Sequence, residues 1–415
     1  MAEEPTFTRH GDEFFLQWSG DGLDARVALT AVREVHDGVH AEVTITRGPD
    51  EIHWARLNLS STTGRESLVK KLERADPSVP WARLLDRACH KTTDAIRQGS
   101  PTIPLKAQPA PAARCLVDPI LPLGDTSVLY GDGGAGKGWT ATALAVATAT
   151  GAALPGGIKA LARGPVLYLD WESTEDDLQD RLYLVSRGLG CGAEGIHYRR
   201  MSRAIADEIS AVRAEVSRLA VKLVVVDSLA PACGAEPEGA DAVIRAMNAL
   251  RSLGAGVTRL VIAHVSHASA TSQAPARPYG SVFVQNLARS TWELRASDEN
   301  TSVDELVVGL YHRKVNRGRK HPPIGLRYTF GDHAITLERA DLTESSDLMA
   351  RTSVANRIRA ALAGGAMSTK LLMETTGAAN EDTITRTCRR MSDVVNLDAT
   401  PPGAPARPAR WGLKA

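Results

Sequence analysis

Cysteine is scarce in this chain of 415 residues: there are five, Cys89, Cys115, Cys191, Cys233 and Cys388, odd in number, far apart and never two residues from one another. That excludes a disulfide framework and a cysteine-based zinc site as organising features. Net charge is also missing, with 49 Lys and Arg against 48 Asp and Glu, so the whole-chain balance points to no charged partner. No apolar run approaches the roughly 18 residues that a spanning helix needs. The acidic start Met-Ala-Glu-Glu-Pro leads into no apolar leader, so no membrane association is expected and the expected location is the cytoplasm. Aromatic residues are few at 5%, but hydrophobic residues reach 43%, an ordinary globular composition. At roughly 100 to 200 residues per domain the length asks for two to four domains.

Residues 1–99 open with alternating segments, Phe14 to Trp18, Ala25 to Val35, Val39 to Thr46 and Ile52 to Leu59, with Asp37-Gly38 at a hairpin turn. Helical stretches near Glu66 to Arg74 and Trp81 to Ile96 complete a small α+β accessory domain, in which Phe14, Phe15, Trp18 and Trp54 are expected to serve the core. Residues 100–114, with Pro101, Pro104, Pro109 and Pro111 among small residues, read as an extended linker. In residues 115–345, short β-branched runs (Ser127 to Tyr130, Val166 to Leu169, Leu223 to Val226, Leu260 to Ala263, Leu306 to Leu310) alternate with helical stretches, the pattern of a mostly parallel sheet flanked by helices.

Residues 346–415 form a third region, and from residue 351 onward ten Lys and Arg face five Asp and Glu, so here the charge is informative. Val354, Ile358 and Leu362 share a helical face, Ser368 caps a short second helix, and Ile384, Cys388 and Met391 mark a third. Val394 to Leu397 and Trp411 to Leu413 read as strands around the Pro-rich loop Thr400 to Ala409. The expected fold is a winged helix-turn-helix, with Thr383, Arg386, Arg389 and Arg390 placed for DNA phosphates, although such modules also serve as protein contacts.

The chemistry concentrates in the middle region. Gly131-Asp132-Gly133-Gly134-Ala135-Gly136-Lys137 follows one strand and opens an Ala- and Thr-rich helix, the setting of a phosphate-binding P-loop. Glycines let backbone N–H groups turn toward phosphates, the helix N-terminus adds partial positive charge, and Lys137 reaches the β- and γ-phosphates. The departure is Gly138, ahead of Trp139, where the motif has a Ser or Thr for magnesium; a water near Asp227 is expected to fill the place. The run Leu-Val-Val-Val ends in Asp227-Ser228, a carboxylate at the C-terminal edge of a buried strand where it can hold a metal. A further strand ends in Asp170-Trp171-Glu172, and Glu172 is placed to activate a water, with Asp170 as the lesser candidate. Glu175, Asp176 and Asp177 read as residues favoured by a helix dipole. His264 and His267 could be a metal pair, but no third ligand lies near them in sequence.

The order of P-loop, Glu172, Val-Val-Val-Asp227-Ser228 and Leu260-Val-Ile-Ala-His264 resembles the RecA-type ATPases, above all the RepA-type and DnaB-type hexameric replicative helicases and related phage and plasmid ATPases. The resemblance covers about Leu121 to Arg339. It implies ATP and magnesium as ligands, Glu172 as catalytic base, Asp227 as the Walker B carboxylate and His264 as γ-phosphate sensor. Gly280-Ser281 through Arg289 is similar to the segment after the DNA-facing loop of these proteins, which would make the polar stretch Val265 to Tyr279 that loop. Tyr311-His312-Arg313-Lys314 with Asn316, Arg317 and Gly318 resembles the basic segment that reaches a neighbour's nucleotide, giving Arg313 or Lys314 as the finger. The implied protein is a homo-hexameric motor with single-stranded DNA in its channel and duplex DNA on the C-terminal module. The rivals are a recombination-mediator ATPase, a nucleotide-switched loading protein, and a nucleotide kinase suggested by Gly-Lys-Gly.

Overall fold

The computed structural model describes residues 4–10, 13–20, 23–99, 102–107, 114–234, 239–265, 277–279, 282–299, 302–350, 352–398 and 409–414. The chain divides into two compact units, Met1–Ala110 with Ser252–Gly254, and Pro111–Arg251 with Ala255–Ala415.

In the first unit five strands, Thr6–His10, Glu13–Gly20, Leu23–Val35, Gly38–Arg47 and Asp50–Asn58, pair antiparallel in sequence order. Strict alternation decides which face is covered: Val39, Ala41, Val43 and Ile45 point inward and meet Phe14, Leu16, Val27 and Leu29. The helices Thr62–Ala75 and Trp81–Gln98 supply Leu68, Leu72, Trp81, Leu84 and Leu85 to the same core. Each buried Val, Leu, Ile or Phe among these contributes about 1.5–3 kcal/mol. Two expected core aromatics lie elsewhere. Trp54 is 50% exposed, and the Phe15 ring is half-buried with the Arg26 guanidinium 4.3 Å above it, because both fall on the outward register of their strands.

The second unit is built on a nine-stranded sheet in the order Ile196–Arg200, Val166–Asp170, Leu223–Asp227, Thr258–His264, Thr126–Gly131, Ser290–Ala296, Glu305–Val315, Ile324–Phe330, Ile335–Arg339. The first six are parallel; the last three join antiparallel. The strand containing Leu306 to Leu310 therefore breaks the expected parallel alternation, since a buried β-branched run reads alike in either direction. Helices flank the parallel part, which explains why its strands are apolar on both faces: Leu223 to Val226 are all buried. The helix Lys137–Thr150 is covered all round. Its small Ala side chains admit close packing, and Thr142, Thr148 and Thr150 satisfy their hydroxyls on the carbonyls four residues back.

Toward the C-terminus, Val354–Ala363, Thr369–Thr376 and Glu381–Arg390 are helices capped by Ser353, Ser368 and Asn380, and Met367–Ser368, Arg410–Leu413 and Val394–Asn396 form a small antiparallel sheet. Ile358, Leu362, Leu372, Ile384, Cys388 and Trp411 close one core. Arg386, Arg389 and Arg390 lie exposed on the opposite side of the third helix from Ile384 and Cys388. Most of the Pro-rich loop expected over residues 400–409 lies outside the described residues, as do His267, residues 266–276 of the polar stretch, and Gly280-Ser281. Among the described residues no helix is long and apolar enough to cross a membrane.

Candidate active site

The P-loop sits where the sheet demands that it turn. A Cβ on Gly131 would lie 2.3 Å from the Leu294 carbonyl oxygen of the neighbouring strand, so the loop can leave the sheet here only as glycine. Gly134 and Gly136 take the left-handed backbone, φ +75° and +84°, that bends the loop into the helix at Lys137. In front of Gly133 and Gly134 is open space, with nothing within 4 Å of an added Cβ. Ala135 is buried beneath the turn.

Lys137 is 7% exposed, and its ammonium donates to the carbonyl oxygens of Gly131 (3.0 Å) and Asp132 (2.7 Å). No carboxylate among the described residues comes within ion-pair distance of it. Burial pulls its pKa below the ordinary lysine value, against the attraction of Asp132, Asp227 and Glu172. A buried cation held only by neutral oxygens, beside an open glycine cradle at a helix N-terminus, fits an anionic phosphate chain.

Four parallel strands end side by side around this point, with Asp170 level with Asp227 and Gly131 level with His264. Asp170 is fully buried and spent on the turn that follows it: its carboxylate accepts from the Glu172 and Ser173 N–H groups at 2.8 and 2.9 Å and from the Ser173 hydroxyl at 2.5 Å. It holds Glu172 in place and is not available as a base. The Glu172 side chain is exposed, and Oε1 accepts from the Ser228 hydroxyl, which follows Asp227 directly. His264 is exposed at its strand end. Partial desolvation of its ring against the strand ends lowers its pKa, the Lys137 charge lowers it further, and Glu172 acts the other way, so the three groups share one electrostatic environment.

Magnesium finds a poorer fit. Asp227 is the one carboxylate at the expected place, and its Oδ2 accepts from the Tyr168 hydroxyl at 2.7 Å; burial raises its pKa although that bond opposes the shift. The Thr140 hydroxyl is committed to the Gly136 carbonyl at 3.0 Å and to the Tyr328 hydroxyl at 2.8 Å. Room for a water at position 138 was the expectation, but the guanidinium of Arg181 stands there: an added Cβ on Gly138 would lie 2.7 Å from Nη1. Among the described residues no group of three or more His, Cys, Asp or Glu is placed to hold a metal. The residues present do not fit the usual P-loop magnesium shell of one hydroxyl and one carboxylate.

Three further expected site residues have their side chains engaged within their own chain. Trp139 faces the core and meets Phe330 edge-on at 5.6 Å between ring centroids, so its side chain is packing rather than nucleotide contact. Arg313 donates from Nε to Glu293 Oε2 at 2.5 Å, and its guanidinium lies 4.7 Å from the Tyr311 ring centre. Glu293 is fully buried, and its Oε1 takes Arg295 at 2.5 Å. Lys314 donates to the carbonyl oxygens of Gln285 (2.7 Å), Asn286 (2.9 Å) and Ala288 (2.8 Å), closing the end of the helix Val282–Leu287. Both supposed fingers are thus bound within their own chain. The sequence reading missed Ser228, Tyr168, Arg181 and the Glu293 cluster; only the missing hydroxyl at Gly138 hinted that something else fills that space.

Residues 93–270 match the model of an AAA domain family. No curated protein matches the chain. Among solved structures it is similar to a KaiC-like protein from the hyperthermophilic archaeon Pyrococcus horikoshii OT3, at 18% identity and a TM-score of 0.39, over 54% of this chain and 93% of that one. The matched segment holds the P-loop, Glu172, Asp227 and His264, so this part of the chain, built on a mostly parallel sheet, is similar to AAA domains.

Proposed function

We propose that the protein is an ATP-hydrolysing motor acting on DNA, a ring-forming helicase of the RepA kind. The observation that carries the hydrolytic part is the convergence of Lys137, Glu172 and His264 at adjoining strand ends beside an open glycine cradle. Lys137 and the helix N-terminus bind the phosphates of the substrate; Glu172 orients the attacking water and takes its proton; His264 lies where the terminal phosphate would be felt. Ser228 holds the Glu172 carboxylate until a water competes for it. Asp227 with Tyr168 keeps the floor of the site acidic and ordered.

DNA binding is supported by the C-terminal module, read as a winged helix, whose third helix presents Arg386, Arg389 and Arg390 outward. Arg386 is paired with Asp382 one turn earlier, so Arg389 and Arg390 are the freer phosphate contacts. A hexamer would require a cation from a neighbour other than Arg313 and Lys314. The second reading, a nucleotide-switched DNA-binding protein with slow turnover, is favoured by the guanidinium standing where a metal ligand belongs. ATP hydrolysis with and without single-stranded DNA, set beside unwinding of a forked duplex, tests both: unwinding supports the motor, while tight ATP-dependent DNA binding without unwinding supports the switch.

A further inference from the structure

Arg181 stands at the P-loop although no part of the phosphate-binding motif accounts for it. It projects from the helix Glu175–Gly188, where Leu178 three residues before it and Val185 four after it are buried on the same face, toward the helix that Lys137 opens. The start of its helix is fixed twice. Thr174 and Asp177 form a reciprocal capping box, and the turn before them is tied to the buried Asp170. Arg181 and Glu172 are therefore carried by one short, braced stretch of chain. The guanidinium reaches the first turn of the P-loop helix, with Nη1 2.7 Å and Cζ 3.7 Å from where a Gly138 Cβ would be. Its positive charge also acts on Asp227 and on the Tyr168 phenol, so it lies in the field of the Walker B carboxylate.

A Ser or Thr at position 138 would offer a neutral oxygen to a divalent ion. The chain offers instead a cation with a planar fork of N–H donors, the group best matched to two phosphate oxygens at once. Glycine leaves the space that the fork takes up, since a Cβ at 138 would displace the flexible end of Arg181 from it. We propose that Arg181 is a phosphate-binding residue of this site, supplied in cis to take over part of the charge neutralisation that magnesium provides in other P-loops, so that nucleotide triphosphates bind here with little need for a divalent ion. The inference rests on the reading of the P-loop as a nucleotide site.

The test is titration of the full-length chain with a fluorescent ATP analogue in excess EDTA and again in excess magnesium, with thermal melting to check the fold of each variant. The natural protein should bind within about threefold in the two buffers. Arg181→Gln should lose at least tenfold in EDTA and regain most of it with magnesium, Arg181→Lys should fall between, and Gly138→Thr/Arg181→Ala should bind tightly only with magnesium. Unchanged EDTA binding in Arg181→Gln overturns the assignment, as does a natural protein whose affinity falls tenfold or more without magnesium. Lys137→Ala separates the two levels of the account. Binding that depends on Lys137 but not on Arg181 removes the Arg181 role alone, whereas a natural protein that binds no nucleotide in either buffer refutes the site itself.

Discussion

Replacing Glu293 by Gln should unfold the second unit far more readily than removing its partner Arg313. Glu293 is fully buried in the strand Ser290–Ala296, and each of its oxygens takes one guanidinium at 2.5 Å, from Arg295 and Arg313, whose side chains are 9% and 17% exposed. Gln keeps one acceptor but turns an NH2 group toward the other arginine, so one charge-assisted bond is lost and two largely buried cations lose their counter-charge. Breaking a buried pair in this way costs about 3–5 kcal/mol. In a unit of this size that corresponds to roughly 6–20 °C in melting temperature. Arg313→Ala removes one bond at the better solvated end and leaves Glu293 with Arg295, a loss of about 1–2 kcal/mol. Urea denaturation monitored by far-UV circular dichroism, with the double variant closing the cycle, measures the coupling. A Glu293→Gln protein within about 0.5 kcal/mol of the natural one would refute the reasoning and return Arg313 to the list of available fingers.

Ser228→Ala should leave nucleotide affinity nearly unchanged and alter turnover by less than about tenfold, because it frees Glu172 without removing it; phosphate release at saturating ATP reads this. Arg389→Ala with Arg390→Ala should lower the slope of log affinity against log salt for duplex DNA by about two, one per lost phosphate contact, and adding Arg386→Ala should change it less, since Asp382 already holds that residue. His312 is buried, stacked on Trp292 at 4.2 Å, and its pKa is pushed down to about 4 from the ordinary 6.5, chiefly by burial. The unfolded chain then binds more protons than the folded one between those values, so stability should fall as pH drops from about 6.5 toward 4, by about 2 kcal/mol allowing for the solvent that still reaches the ring. Melting curves across that range should flatten in His312→Gln.

The parallel strands of the second unit were legible because a strand buried on both faces leaves a continuous apolar run, and Leu-Val-Val-Val before Asp227 admits few other readings. The turn at the P-loop was legible because glycine at three close positions answers a local backbone need. The direction of the Leu306 strand was not, since direction is settled by its partner and not by its own composition. Glu293 was overlooked for a related reason: in an alternating stretch a carboxylate reads as outward-facing, and the residue that shows otherwise, Arg313, comes twenty positions later. Arg181 lies 43 positions beyond Gly138, and only the packing of two helices brings them together. Trp54 failed from the opposite cause, because an aromatic residue in a strand is read as core until the register shows which face it takes.

The most direct measurement is steady-state phosphate release by the full-length protein, with Lys137→Ala and Glu172→Gln measured beside it for both turnover and ATP affinity. If Lys137 binds phosphate and Glu172 activates water, Lys137→Ala should lose affinity at least tenfold, while Glu172→Gln should keep its affinity and lose turnover by about 10²–10⁴-fold. Wild-type turnover in Glu172→Gln, or unimpaired ATP binding in Lys137→Ala, would contradict the account.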